Sequence, residues 1–374
     1  MEDSVKRIVC FVSAMNYGGA ETFIMKIYRS VYKRNVSFDF ITAEPGKYDD
    51  EITKLGGKIY IVPKKSSDFF GWFMASYSVL KKGNYDAALR MTSNSLGILD
   101  LIIAKFAGIK VLISRSTNAN EDSKIHKILS NLFSFLPRHI PTCKIAPSIK
   151  AAEYLYGKSS VKLGKVKIVK NGIDLKKYLY KEDIRIDIRN KLGITNETIL
   201  IGHIGRFSRQ KNHKFIVKIL KELKDVKYKM LFIGSGLEKE KIENDIFNNK
   251  LTNNVIFIES TTEVEKYMMS MDVLLLPSLY EGMPNVVVEA QATNLQSLVS
   301  NTVTREVDLT GLVSFLSIND GDEKLWAEKI CSKLLKVERS KNKANMKMEA
   351  LGYDINDVSN NFLQYVFGDE LNAK

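Results

Sequence analysis

Short apolar runs rich in β-branched residues alternate along the chain with longer stretches in which apolar positions recur at helical spacing. The first series reads RIVCFVSA, then ETFIMKIYRSVYKR, then FDFITA, which predicts a strand, a helix and a second strand. The alternation continues through KIYIV, YDAALRM and KVLISRS to CKIAPS. A chain that alternates in this way predicts a parallel sheet covered by helices on both faces.

The alternation pauses at Asn171 and Gly172, a dipeptide typical of turns, and restarts after a charged stretch with ILIGHIGRF. We therefore predict an α/β protein with two doubly wound, Rossmann-like domains, over residues 1–174 and 175–353. Sheets of this kind bind ligands at the carboxyl ends of their strands. Two facing domains would form a cleft in which each holds one reactant.

The chain has 374 residues, of which 45% are hydrophobic and 26% charged, and this composition excludes a mainly disordered protein. The apolar run DLIIAKFAGIKVLI is interrupted by Lys105 and Lys110, so it does not predict a membrane-spanning helix. The N-terminus lacks the basic, apolar and small-residue order of a signal peptide. Cys10, Cys143 and Cys331 lie far apart and indicate neither a disulfide framework nor a zinc site. We expect a cytoplasmic protein.

The formal net charge of +13 is concentrated in the first part of the chain. Up to Asp174 there are 27 Lys and Arg against 15 Asp and Glu, and after it there are 29 against 28. A positive field in one domain favours a nucleic acid, an anionic lipid surface or a phosphorylated substrate as partner. A lysine-rich surface that only aids solubility is the alternative. Because the chain has no helix-turn-helix, zinc-finger or RNP-type signature, we expect no nucleic acid.

A pair of glycines stands in the segment NYGGAET, between the first predicted strand and the first predicted helix. Gly18 and Gly19 would let backbone amides approach a ligand closely, and the N-terminus of the following helix favours an anion. The alternative is a tight strand-to-helix turn that needs glycine only for its backbone geometry.

The segment GRFSRQKNH places Arg206, Arg209 and Lys211 between a predicted strand and a helix predicted from about residue 212 to 225. Cations at the start of a helix oppose its dipole, so their presence there favours a bound anion. The planar fork of Arg and the point charge of Lys suit a diphosphate. The alternative is a solvated basic turn, most readily for Arg209.

Two glutamates occur in the segment PSLYEGMPNVVVEAQA, which begins where the apolar strand DVLLL ends. Glu281 lies in the predicted loop, and Glu289 lies about one turn into the helix that follows. Carboxylates at the edge of a sheet can accept hydrogen bonds from sugar hydroxyls. The alternative places Glu281 in a surface turn and Glu289 on a solvated helix face. Because Glu289 is embedded in VVVEAQA, we favour the binding role.

Together, EGMPNVVVEAQA, the upstream GRFSRQKN, NGID and GGAE resemble the family 4 retaining glycosyltransferases of the GT-B fold. The similarity is greatest to bacterial enzymes of exopolysaccharide and capsule assembly. The four motifs occur in the family's order and cover the chain from about residue 8 to 366. The resemblance implies an interdomain cleft, with the acceptor in the first domain and a nucleotide-sugar donor in the second. It also implies that a helix over about 354–367 packs back on the first domain.

The resemblance assigns a role to each matched residue. Arg206 and Lys211 would neutralise the donor diphosphate and Glu281 would contact the donor sugar, and these three form the implied catalytic set. The other implied donor-binding residues are Gly18, Gly19, Gly205, Gly234, Gly282, Met283, Pro284, Asn285 and Glu289. Of these, Glu289 would hold the ribose and Gly234 would lie near the base.

The implied reaction transfers a sugar with retention of its anomeric configuration. Fixed cations and amides at the diphosphate would stabilise the charge that develops there, so we expect no metal and no cofactor beyond a UDP-sugar co-substrate. The expected acceptor is a saccharide, carried on a polyprenyl diphosphate in similar enzymes.

The chain departs from the family's pattern at two places. Arg115 and Asn118 stand in a loop where relatives often carry histidines, and we expect both on the acceptor side. Glu259 stands where relatives usually have glycine, which leaves the nucleotide and sugar preference open.

Aromatic residues and lysines are combined in SSDFFGWFMASYSVLKK, where Phe69, Phe70, Trp72 and Phe73 precede a Lys-Lys pair. With the segment IHKILSNLFSFLPRH and the basic first domain, this pattern predicts contact with an anionic membrane surface, at the inner face of the cell membrane. Ordinary helices packed on a sheet are the alternative.

We therefore predict a glycosyltransferase of cell-surface polysaccharide synthesis. A catalytically silent nucleotide-sugar-binding or scaffold subunit is the alternative, and the missing loop histidine supports it. A sugar-nucleotide epimerase or a phosphorylase on the same scaffold is less favoured, because we see neither a pyridoxal-binding lysine nor a histidine-rich centre.

Overall fold

The computed structural model describes residues 5–117, 133–332, 339 and 342–368. The chain divides into two compact units. The first unit contains Met1–Gly172 and Tyr353–Lys374, and the second unit contains Ile173–Gly352.

The first unit is built around a seven-stranded parallel sheet in the order β3-β2-β1-β4-β5-β6-β7. Its strands are β1 Lys6–Phe11, β2 Val36–Thr42, β3 Ile59–Ile61, β4 Ala87–Thr92, β5 Val111–Ser116, β6 Cys143–Ala146 and β7 Lys167–Ile168. Strand β1 pairs with both β2 and β4. The chain leaves β1 toward one edge of the sheet and β4 toward the other, so a crevice opens between the carboxyl ends of these two strands.

Helices cover both faces of this sheet. They are α1 Gly19–Val31, α2 Asp49–Lys54, α3 Phe69–Lys82, α4 Leu99–Phe106, α5 Leu136–His139, α6 Ile149–Tyr156, α7 Lys158–Lys162 and, from the end of the chain, α15 Ile355–Phe367. Successive residues of β1 point to opposite faces: Ile8 and Cys10 join the core that contains α1 and α15, whereas Val9 and Phe11 join the core under α3 and α4. Burial on both faces explains why the strands read as continuous apolar runs.

The second unit repeats this plan with a six-stranded parallel sheet in the order β10-β9-β8-β11-β12-β13. Its strands are β8 Ile199–Ile204, β9 Tyr228–Ile233, β10 Val255–Ile258, β11 Val273–Leu276, β12 Ser297–Ser300 and β13 Val313–Leu316. Its helices are α8 Glu182–Lys191, α9 His213–Glu222, α10 Lys239–Asn248, α11 Val264–Ser270, α12 Asn285–Ala292, α13 Glu323–Cys331 and α14 Lys343–Ala350. The two doubly wound parallel sheets predicted from the alternation are confirmed.

The order of strands in the second unit places its crevice between β8 and β11. These two strands are paired, yet the chain continues from β8 to β9 on one side and from β11 to β12 on the other. The loops that follow β8 and β11 therefore meet at the carboxyl edge of the sheet. Both loops carry predicted site residues, Lys211 in the first and Glu281 in the second.

The aromatic cluster predicted on α3 is divided between the two faces of that helix. Trp72 is buried with Leu80 in the core beneath the helix, because both side chains face the sheet. Phe69 and Phe70 are 57% and 73% exposed on the other side. Trp72 is therefore not part of the exposed aromatic surface. Residues 118–132, which include Asn118 and most of the second predicted membrane segment, lie outside the described residues.

Among the residues that the structure describes, no helix combines the length and the apolar composition that crossing a bilayer requires.

Candidate functional site

An ion pair joins the two loops at the crevice of the second unit. Lys211 Nζ lies 2.6 Å from Glu281 Oε1, and the Ser278 hydroxyl donates a hydrogen bond of 3.0 Å to the same oxygen. The Lys211 and Glu281 side chains are only 16% and 11% exposed. The crevice thus places one cation and one carboxylate side by side in a largely desolvated position, where electrostatic interactions are stronger than in water.

Backbone contacts hold these loops together. The Gln210 side chain donates to the Tyr280 carbonyl at 3.0 Å, and the Leu279 amide donates to the Gln210 carbonyl at 2.8 Å. Asn212 takes a left-handed conformation with φ 55°, which asparagine tolerates well, and its side chain donates to the Pro277 carbonyl at 3.2 Å. Gln210 and Asn212 therefore fix the position of Lys211 between them. Neither residue was predicted from the sequence, since neither residue type indicates a site by itself.

Two buried histidines lie beneath Lys211. The His213 ring stacks on Phe207 with centroids 4.2 Å apart, and His203 meets His213 edge-on at 4.6 Å. His203 Nδ1 lies 2.9 Å from the Leu275 carbonyl, which can only accept, so Nδ1 is the protonated nitrogen. Burial lowers the pKa of His203 well below its usual value, and burial followed by the Lys211 charge lowers the pKa of His213 to about 4. Both rings are therefore neutral at pH 7, and His213 is buried rather than on the helix surface.

The loop after β8 also packs against the loop after β9. A Cβ atom on Gly234 would lie 2.1 Å from the Gly205 carbonyl oxygen, and Gly234 has a φ of 149°. The Phe207 amide donates to the Ser235 carbonyl at 2.9 Å in the same contact. Gly234 is thus required by backbone packing, and the contact fixes the loop that carries Arg206. Arg206 itself is exposed.

The remaining predicted residues of the second unit follow β11. Gly282 and Met283 are half-buried, and Pro284 precedes α12, whose first residue is Asn285. Glu289 lies in the middle of this helix and is 8% exposed, so it is not on a solvated helix face. The structure therefore brings the predicted donor-binding residues of the second unit to the carboxyl ends of β8, β9 and β11. Their contacts with a donor stay a prediction.

Gly18 precedes α1 in the first unit, and Gly19 is the first residue of that helix. A Cβ atom on Gly18 would meet the Glu21 carboxylate at 2.2 Å, which is the far end of a flexible side chain. The local fold therefore does not require glycine at residue 18.

Arg115 ends up inside the first unit, where it is 2% exposed at the end of β5. Its guanidinium donates to the Asn171 side-chain oxygen at 2.5 Å and to the Val169 carbonyl at 3.3 Å, and it lies 3.7 Å from the centre of the Phe23 ring. Burial lowers the pKa of Arg115 to about 9, so the group remains charged at pH 7. An acceptor-side role for this residue stays a prediction.

The described residues contain no group of three His, Cys, Asp or Glu side chains placed to hold a metal ion. The chemistry that the crevice offers is electrostatic. The crevice has a fixed cation, Lys211, and an adjacent carboxylate, Glu281. Arg206 is a second cation on the exposed side of the loop, and the backbone amides at the start of α12 lie at the same edge. Such a set can bind an anionic group beside hydroxyl groups.

Residues 184–347 match the family model described as glycosyl transferases group 1. The chain is 31% identical over 364 residues to EpsF of Bacillus subtilis (strain 168), whose name assigns it to the glycosyltransferases. The match covers 95% of this chain and 94% of that protein. This chain is also 26% identical over 240 residues, 60% of each chain, to an Escherichia coli protein named UDP-Gal:alpha-D-GlcNAc-diphosphoundecaprenol alpha-1,3-galactosyltransferase.

Among solved structures, Anabaena Alr3699/HepE in complex with UDP superimposes with a TM-score of 0.76 at 15% identity, over 96% of this chain and 98% of that chain. At this identity the similarity establishes the fold, which is GT-B. The near full-length match to EpsF, together with the match to the family model, establishes the family of this chain. The chain belongs to the glycosyl transferases group 1 family and is a glycosyltransferase.

Proposed function

We propose that this enzyme transfers a sugar, with retention of configuration and without a metal, from a UDP-sugar to a polyprenyl-diphosphate-linked saccharide in cell-surface polysaccharide synthesis. The observation that carries the proposal is the ion pair of Lys211 and Glu281 at the crevice between β8 and β11. One member of the pair suits a phosphate and the other suits sugar hydroxyls, and they lie 2.6 Å apart. A sugar diphosphate has these two kinds of group joined by one bond.

In the proposed reaction the bond between the anomeric carbon and the diphosphate oxygen breaks. Lys211 and Arg206 stabilise the negative charge that develops on the leaving diphosphate. Glu281 accepts hydrogen bonds from the donor sugar, and buried Glu289 holds the ribose. The acceptor hydroxyl attacks the face that the diphosphate leaves, and its proton passes to a departing phosphate oxygen. Retention then needs no enzyme nucleophile.

The acceptor is assigned to the first predicted domain, residues 1–174, and the donor to the second predicted domain, residues 175–353. The resemblance to the GT-B family supports this division. The Escherichia coli relative is named for an acceptor on diphosphoundecaprenol, which supports a lipid-linked acceptor here. In this proposal Gly18 and Gly19 bring backbone amides toward the donor diphosphate, and Arg115 shapes the acceptor side from within the unit.

The proposal includes contact between the protein and the cytoplasmic face of an anionic membrane. Phe69, Phe70 and Met74 expose an apolar surface on α3, and Lys81 and Lys82 end the same helix. Apolar side chains beside cations suit the boundary between lipid tails and phosphates. We expect the protein to sediment with vesicles that contain anionic lipid and to lose most of this binding in the Phe69→Ser, Phe70→Ser variant. Equal sedimentation of both proteins would contradict the contact.

The central test combines Arg206→Ala with Lys211→Ala. We expect kcat/KM for sugar transfer, measured in EDTA with a panel of nucleotide sugars, to fall at least about 10³-fold, because both leaving-group cations are lost. Arg209→Ala is the matched control, since Arg209 is an exposed cation in the same loop, and it should stay within about threefold of the parent protein.

Unchanged donor affinity and turnover in the double variant would overturn the proposal. Donor binding by the parent protein with neither transfer nor slow donor hydrolysis would favour the silent subunit. Inversion of the anomeric configuration in the product, seen by NMR, would remove the retaining mechanism.

A further inference from the structure

A second ion pair lies at the carboxyl edge of the second unit, outside the set assigned above. Lys239, the first residue of α10, places Nζ 2.7 Å from Oε1 of Glu259, which follows β10. The hydroxyls of Ser235 and Ser260 lie 3.2 Å apart and join the same two loops. The pair is therefore held at a defined place on the edge, between the ends of β9 and β10.

This place lies at the right distance from the diphosphate site. Strand β10 is two strands from β8 in the sheet, which corresponds to about 10 Å at the usual strand spacing. A ribose and a base extend over a comparable distance from a diphosphate. With the diphosphate at Lys211, the loops after β9 and β10 lie where the base would reach.

Apolar surface is present beside the pair. Leu237 is fully exposed on the loop between β9 and α10, and the half-buried Phe257 ring lies 5.9 Å from Lys239 Nζ. The loop itself runs close to its neighbour, because a Cβ atom on Gly236 would lie 2.4 Å from the Phe207 carbonyl oxygen. A flat ring with a polar edge suits such a surface, since its faces need apolar contact and its edge needs partners.

We propose that Lys239 and Glu259 read the hydrogen-bonding edge of the donor base and select a base with a carbonyl beside a ring N–H, as in uracil and guanine. The inference rests on the proposed function, because it takes the diphosphate to be bound at Lys211. The ammonium group donates to the carbonyl of the base while still donating to Glu259. The carboxylate accepts from the ring N–H, and its lone pairs suffice for both donors.

Cytosine and adenine present the opposite pattern at these positions. Each has an amino group in place of the carbonyl and an unprotonated ring nitrogen in place of the N–H. The Lys239 ammonium would then face a donor, and the Glu259 carboxylate would face a lone pair. Lys239 is cationic at pH 7, because the hydrogen bond with Glu259 raises its pKa.

The test measures binding of UDP, GDP, CDP and ADP to the full chain by titration calorimetry. In the parent protein, UDP and GDP should bind at least about tenfold more tightly than CDP and ADP. Glu259→Gln should reduce this ratio to about threefold or less, because an amide can present either an oxygen or an NH₂ group to the base. Glu259 is 69% exposed, so the substitution leaves the fold intact.

Glu243→Gln is the matched control. Glu243 lies 4.0 Å from the same Lys239 ammonium, one helical turn further along α10, and its loss changes the net charge equally. We expect this variant to keep the parental ratio. A parent protein without base preference, a preference for CDP or ADP, or an unchanged ratio in Glu259→Gln would each overturn the inference.

The outcomes also separate this inference from the proposed function. Arg206→Ala with Lys211→Ala should weaken all four nucleotides by the same factor, since all share the diphosphate. If the double variant weakens all four while Glu259→Gln leaves the ratio unchanged, only the base-reading role is overturned. If none of the four nucleotides binds the parent protein, the base-reading role and the proposed function are both overturned.

Discussion

Glycine occurs in a loop that follows a strand in both units, but the contacts of the two glycines differ. In the second unit, a Cβ atom on Gly234 would lie 2.1 Å from the Gly205 carbonyl oxygen, and the φ of 149° is strained for any other residue. In the first unit, Gly18 has φ −99° and ψ 166°, which any residue adopts, and its Cβ would meet only the movable Glu21 carboxylate. Internal packing requires glycine at residue 234 and does not require it at residue 18.

This difference separates structural from functional glycines. Gly234 fixes the loop of Arg206 through a backbone contact, so its role is explained within the second unit. Nothing in the local contacts of Gly18 explains why glycine stands there. A ligand that approaches the backbone closely, as proposed for the donor diphosphate, is a sufficient reason.

The buried basic side chains near the two sheet edges differ in their charge. In the first unit, Arg115 keeps its charge at pH 7 and meets the Asn171 amide oxygen and the Phe23 ring. In the second unit, His203 and His213 are buried and neutral beneath the charged Lys211. Of His203, His213 and Lys211, only Lys211 is positively charged, and it faces the crevice.

The strongest test of the glycine comparison is the pair Gly234→Ala and Gly18→Ala. We expect Gly234→Ala to lower the free energy of unfolding of the second unit by about 4 kcal/mol, from backbone strain and steric overlap together. Gly18→Ala should change the stability of the first unit by about 1 kcal/mol or less, the usual effect at a helix N-cap. Urea titrations in single-tryptophan variants separate the units, because Trp72 lies in the first and Trp326 in the second.

The activities of Gly18→Ala and Gly234→Ala test whether a ligand approaches Gly18 closely. Gly18→Ala should fold normally and lose about 10²-fold in kcat/KM, because a methyl group would hold the diphosphate away from the amides. Full activity of Gly18→Ala would show that no ligand approaches this glycine. Equal loss of stability in both variants would contradict the comparison itself.

The sequence predicted the two sheets and the position of Lys211 and Glu281 at the edge of the second sheet. Apolar runs buried on both faces identify the strands, and parallel strands order their carboxyl ends along one edge. Lys211 and Glu281, 70 residues apart, could therefore be assigned to one crevice. The burial of Glu289 followed from the apolar residues that surround it in the sequence.

Side-chain direction could not be predicted in the same way. Whether Arg115 points into the unit or outward depends on its register in β5 and on Phe23 from another element. Trp72 and Phe70 are two residues apart on one helix, yet one is buried and the other exposed. The pairing of Lys239 with Glu259 joins two loops, and no local pattern records it.

The histidine pair provides a smaller, pH-dependent test of the second edge. His213 has a pKa of about 4 in the folded protein, against about 6.5 when unfolded. Between these values the unfolded chain binds a proton that the folded one does not, so stability falls as the pH falls from 6.5 to 4. His213 should contribute about 3 kcal/mol to this loss, read from Trp326 in urea. His203 adds to the loss, because its pKa is also lowered by burial. His213→Phe keeps the ring on Phe207 without titrating, so its loss should be smaller by that amount, and identical pH profiles would mean that folding does not lower the pKa of His213.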